Sequence, residues 1–182
     1  KIKVYSFEPQ SKIFKEFKNN FKNKKNIFIY NLAISNVCKN KRLNINIKTS
    51  TSTFSDYNEN SYWKKTKDFL LAGINKSSII NSEIIKSITL DKFCKKKNIK
   101  NIDLLKIDTE GHEFEVLLGA KNLLKNDIKY ILIEIHLSKI YKNYNKNSIE
   151  RILKNNNFFL IKKFKFPFLL FEDRIYKKYH TS

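Results

Sequence analysis

Apolar residues recur along this chain in two rhythms. Residues 2–7 (IKVYSF), 27–34 (IFIYNLAI), 102–107 (IDLLKI) and 130–135 (YILIEI) are short apolar runs with the length and β-branched content of strands, and the last two read as buried. Residues 43–49 (LNINIKT) alternate and predict a half-exposed strand, and 84–90 (IIKSITL) another. Elsewhere the spacing changes to three and four. Ile13, Phe14, Phe17 and Phe21 put one apolar face on a helix from Ser11 to Phe21, with Pro9 suited to its first turn. Asp91 opens a short helix through Lys97. Gly111 to Lys125 predict a longer one, with Phe114, Leu117, Leu118 and Leu124 facing inward. A helix over 147–155 precedes strands near 158–164 and 168–172, divided by Pro167. Strand–helix–strand alternation predicts an α/β fold with a mostly parallel sheet and helices on both faces. The Ser/Thr/Asn-rich segment 50–82 follows neither rhythm and reads as an irregular insertion within a single domain, 1–182.

In such sheets ligands bind outside the carboxyl ends of the strands. Three chemically distinctive residues fall there: Glu8 after strand 2–7, Asp108 after 102–107, and His136 after 130–135. A carboxylate in the place of Glu8 suits the two hydroxyls of a ribose, although an acid ahead of a helix is also favoured by the helix dipole. If strands 102–107 and 130–135 are neighbours, about 4.8 Å apart, Asp108 reaches His136 and orients it as a general base. The plainer alternative is a satisfied polar residue at a strand end.

Four of the 17 acids fall within eight residues: Asp108, Glu110, Glu113 and Glu115. The helix dipole accounts for Glu113 and Glu115. Glu110, nearest the rim, is placed to bind substrate or a metal. Glu134 interrupts an apolar run and needs a partner, for which Lys106 is the candidate. Asp108, Glu110, Glu134 and His136 together would suit Mg or Mn, but such sets are common without metal, and none is assigned.

Composition narrows the classes. The chain has 182 residues, one domain's length, and its 41% hydrophobic content excludes disorder. The net charge of +20 suggests nucleic acid, yet only three of the 37 basic residues are arginine, the type favoured for bidentate phosphate and base recognition. Lysine filling solvated positions is the preferred reading. Cys38 and Cys94 lie far apart without metal-type spacing, as expected of reduced thiols in a cytoplasmic protein. No apolar run approaches the roughly 18 residues of a membrane span. The three glycines, Gly73, Gly111 and Gly119, cannot form a G-x-G-x-x-G or phosphate-binding loop.

VYSFEP at 4–9, TLDKF at 89–93, LLKIDTEGHEFEVLLGA at 104–120 and ILIEIH at 131–136 together resemble the FkbM family of S-adenosylmethionine-dependent methyltransferases, in order and spacing, over roughly residues 2–137. The resemblance implies a Rossmann-like methyltransferase fold and methyl transfer, commonly to a hydroxyl of a sugar or natural product. By position it implies that Phe7 and Glu8 hold the cofactor's ribose and that Ala33, Ile34 and Ser35 border its adenine. It places Asp108, Glu110 and His136 against the methyl group and the acceptor. That family carries a first strand and a glycine-rich loop ahead of the counterpart of residues 2–7. Here both are missing, and the Met-free start inside a strand leads to the expectation of a fragment of a longer product. An RNA methyltransferase and a non-catalytic remnant are the alternatives. The acceptor and the oligomeric state have no signature in the sequence.

Overall fold

The computed structural model describes residues 2–46, 52–58, 61, 62, 65, 79–138, 140–165 and 171–179. The chain runs β1 (Val4–Phe7), α1 (Ser11–Asn20), β2 (Ile27–Tyr30), β3 (Ala33–Ile34), β4 (Asn40–Asn46), β5 (Ile79–Ile88) and α2 (Leu90–Lys97). It continues through β6 (Ile102–Ile107), α3 (Glu113–Leu118), α4 (Leu123–Asn126), β7 (Ile128–His136), α5 (Lys146–Asn155), β8 (Phe158–Lys165) and β9 (Phe171–Lys178). Residues 47–49 of the strand expected over 43–49, most of 50–82, and residues 168–170 of the last expected strand lie outside the described residues.

The strands form an α/β fold, but not the mostly parallel sheet the pattern predicted. β1 pairs parallel with β2, β3 with β5, and β6 with β7. β4–β5, β7–β9 and β8–β9 are antiparallel. The described strands fall into three groups, ordered β1-β2, β3-β5-β4 and β6-β7-β9-β8. Connection length explains the last group. The α5 segment carries the chain from β7 to β8, which runs parallel to β7 but two places away in the sheet. The short link from β8 to β9 allows only an antiparallel return, and β9 settles between β8 and β7.

Two apolar runs are broken by single residues. The run 27–34 divides into β2 and β3 because the Asn31 amide turns back, donating to the carbonyls of Glu8 at 3.0 Å and Pro9 at 2.7 Å. The helix expected over 111–125 divides into α3 and α4. The Asp91 carboxylate of α2 accepts from the amides of Asn122 and Leu123 and so caps α4 from outside. α2 has its own Thr89 cap, whose hydroxyl accepts from the Lys92 amide at 3.2 Å, and ends at Asn98 in the left-handed region.

The core centres on β7, where Ile131, Ile133 and Ile135 are fully buried against α2 to α5. β6, expected to be buried as well, is mostly exposed. Only Ile107 is buried, and Leu104 is 55% exposed. Among the described residues β6 pairs on one edge only, with β7, so less of it is covered. No described helix is long and apolar enough to cross a membrane.

Candidate active site

The carboxyl ends of β1, β3 and β6 open onto one cleft of about 170 Å³. Phe7, Glu8, Ala33, Ile34, Asp108 and Glu110 line it. Local bonding explains why Glu8 points there. Its amide donates to the Tyr30 carbonyl at 3.0 Å, extending the β1–β2 pairing by one residue. Asn31 holds its carbonyl, and its Oε1 accepts from the Gln10 amide at 2.7 Å. Burial raises the Glu8 carboxyl above its ordinary range, against the lowering effect of the Gln10 hydrogen bond.

Ser35 does not reach this cleft. It is fully buried, its Oγ 3.0 Å from His112 Nε2 and 3.0 Å from the Lys41 ammonium, which donates to it. Lys41 lies 3.1 Å from the same imidazole nitrogen. An ammonium only donates, so Nε2 is an acceptor and the ring proton sits on Nδ1, which faces Glu115 at 3.4 Å. Burial, helped by Lys41, pushes His112 down to about 3, so the ring is neutral. His112 lines the cleft as well. Sequence reasoning passed over it, although it stands in the middle of the stretch that carries the acids.

The turn after β6 is held from both sides. Glu110 and Gly111 adopt positive φ, 51° and 94°. Glu113 is fully buried, and its Oε1 accepts from the Thr109 amide and hydroxyl and from the Gly111 amide, at 3.0–3.1 Å. Burial raises its carboxyl to about 7. From above, Thr53 and Ser55 donate their hydroxyls to the Glu110 and Gly111 carbonyls. Part of the segment 50–82 therefore straps the turn down.

His136 lies in an adjoining pocket of about 380 Å³ with Asn58, Ser138, Tyr141, Lys142 and Lys146. The wall between the two cavities includes Tyr141, whose hydroxyl donates to Glu110 Oε2 at 2.6 Å. β6 and β7 are parallel neighbours with Ile107 opposite Ile133, a register that sets Asp108 near Glu134 and short of His136. The pairing differs from the expected one. Asp108 accepts from Lys106 at 2.8 Å, while His136 Nε2 lies 3.1 Å from Glu134 Oε1. Lys106 is therefore bonded to Asp108, and the partner of Glu134 is the imidazole. Burial, and then the charges of Asp108, Glu110, Glu113 and Asp173, push Glu134 up to about 8. The His136 ring meets Tyr141 and Tyr144 edge-on, and the Tyr144 hydroxyl accepts from the His136 amide at 3.0 Å. Tyr141 carried no sequence signal, because its role depends on a contact 31 residues away. Among the described residues no three His, Cys, Asp or Glu side chains converge so as to hold a metal ion.

Comparison with known proteins gives three matches. The family model for the methyltransferase FkbM domain matches residues 1–160. The hexuronic acid methyltransferase AglP of Haloferax volcanii is 36% identical over 64 residues, which are 35% of this chain and 26% of that protein. The crystal structure of methyltransferase FkbM from Methylobacillus flagellatus superposes with a TM-score of 0.53 at 11% identity. That match covers 96% of this chain and 36% of that one, a likeness of fold. The matches thus span about a quarter and a third of these relatives' lengths.

Proposed function

The chain belongs to the FkbM methyltransferase family, and from that premise we propose that it transfers a methyl group from S-adenosylmethionine to a hydroxyl of a sugar or glycan. The observation that carries this reading is the grouping of Glu8, Asp108 and Glu110 with Phe7, Ala33 and Ile34 at the strand ends. These residues suit the nucleoside end of the cofactor. A half-buried carboxylate faces a ribose diol, small apolar side chains face adenine, and acids at the rim favour a cationic sulfur. At about 170 Å³ the cleft is smaller than the roughly 300 Å³ or more typical of a complete ligand site. The nucleoside, and not the whole cofactor, is what the described residues match.

When bound, the cofactor supplies a methyl group on a positively charged sulfur. The chain's own residues align the acceptor and take its proton. His136, whose Nε2 lies 3.1 Å from Glu134, is the candidate for that task. Glu110, hydrogen-bonded to Tyr141, stands between the two cavities. The sugar acceptor is favoured by the likeness to a hexuronic acid methyltransferase.

The test is methyl transfer to a sugar acceptor by the whole gene product, wild type against His136→Ala. The turnover number is expected to fall about 10²- to 10⁴-fold, the usual contribution of general acid–base catalysis, with affinity for S-adenosylhomocysteine retained. Unchanged turnover would remove His136 from the reaction.

A further inference from the structure

We propose that the larger pocket is the acceptor site and that it selects a sugar bearing a carboxylate. This rests on the reading that the smaller cleft holds the cofactor. Ser138 provides the first observation. It is only 8% exposed, lines the pocket, and its Oγ has no hydrogen-bond partner among the described residues. A buried hydroxyl left without a partner is costly, and a ligand oxygen would satisfy it. The second is the amino end of α5, a ten-residue helix capped by Asn145, whose first residue, Lys146, lines the same pocket. Helix amino ends favour anions.

Charge then gives the bound sugar a direction. Glu110, hydrogen-bonded to Tyr141 beside His136, would repel a carboxylate on that side of the pocket. Lys142, which is exposed, and Lys146, which is half-buried, supply the positive charge of the pocket lining. Among the described residues the ion-pair partner of Lys146 is the Glu150 carboxylate, 3.8 Å away. An acidic sugar therefore enters with its carboxylate toward the lysines and Ser138, and a ring hydroxyl toward His136. Lysines are abundant in this chain, so their presence alone would not single out the pocket. The buried Ser138 hydroxyl and the helix end beside them do. The volume of about 380 Å³ falls within the range of small-molecule sites.

The experiment compares methyl β-glucuronide with methyl β-glucoside, which differ at the carboxylate, by calorimetric titration of the whole gene product. The glucuronide is expected to bind about tenfold or more tightly than the glucoside. The double variant Lys142→Gln, Lys146→Gln should abolish that preference. Ser138→Ala should weaken the glucuronide several-fold without lowering the Tm, because it removes an unsatisfied buried group. Equal affinity for the two sugars, binding of neither, or a preference that survives the double variant would overturn the proposal. S-adenosylhomocysteine is titrated separately. Its failure to bind alongside a carboxylate preference would sink the cofactor reading alone.

Discussion

Individual side chains at this site carry opposite responses to pH. Glu113 is raised to about 7 from 4.5 by burial, so the folded protein holds that proton more tightly than the unfolded chain. Its contribution is fully present below pH 4.5 and is lost as pH rises through 7. His112, lowered to about 3 from 6.5, acts the other way, and stability is lost as pH falls below 6.5. Glu113→Gln isolates one of the two. It keeps an acceptor for the Thr109 and Gly111 donors but cannot ionise. Relative to wild type it should gain on the order of 3 kcal/mol between pH 4 and pH 8, read from urea unfolding at both values. A pH-independent difference would mean that burial does not raise the Glu113 carboxyl. The sequence assigned Glu113 to the helix dipole. Its burial was illegible, because it follows from the turn folding over onto that carboxylate. Glu8 was legible, since a carboxylate directly after an apolar strand has few other destinations.

At the level of elements, apolar rhythm located nearly every strand and helix, and the misses have common causes. Asn31 and the Asp91 cap each break a run through a bond to a distant segment, which periodicity does not encode. Gly119 marks one such break. A Cβ there would stand 2.1 Å from the Ser35 carbonyl oxygen, so the turn after α3 and the backbone beyond β3 meet only because that position is glycine. Gly119→Ala should therefore destabilise by about 2 kcal/mol, within the range for overpacking. It should also loosen Ser35, and with it the His112 cluster behind the cleft. Thermal unfolding checks this, and a Tm equal to wild type would contradict the close approach. The strap from Thr53 to Tyr57 is the element least visible in the sequence. Its hydroxyl-to-carbonyl bonds need only small polar residues, which also fill ordinary loops.

For the molecule as a whole, the α/β class was legible in the sequence, but the mixed strand directions were not. The parallel pairs β1–β2 and β6–β7 place Glu8 and Asp108 at one end, while β9 returns antiparallel for reasons of link length. The same arrangement separates His136 into a second cavity behind Tyr141, and the proposed cofactor and acceptor sites fall in these two pockets. The charge of +20 is carried almost entirely by lysine, and the smaller cleft is lined by the acids Glu8, Asp108 and Glu110 while Lys142 and Lys146 line the larger pocket. The placement of the nucleoside against Glu8 underlies all of this. It is tested most directly by calorimetric titration of the whole gene product with S-adenosylhomocysteine, wild type against Glu8→Ala. Affinity is expected to fall at least tenfold, about 1.4 kcal/mol, with the fold retained. Equal affinity in the two proteins would contradict it.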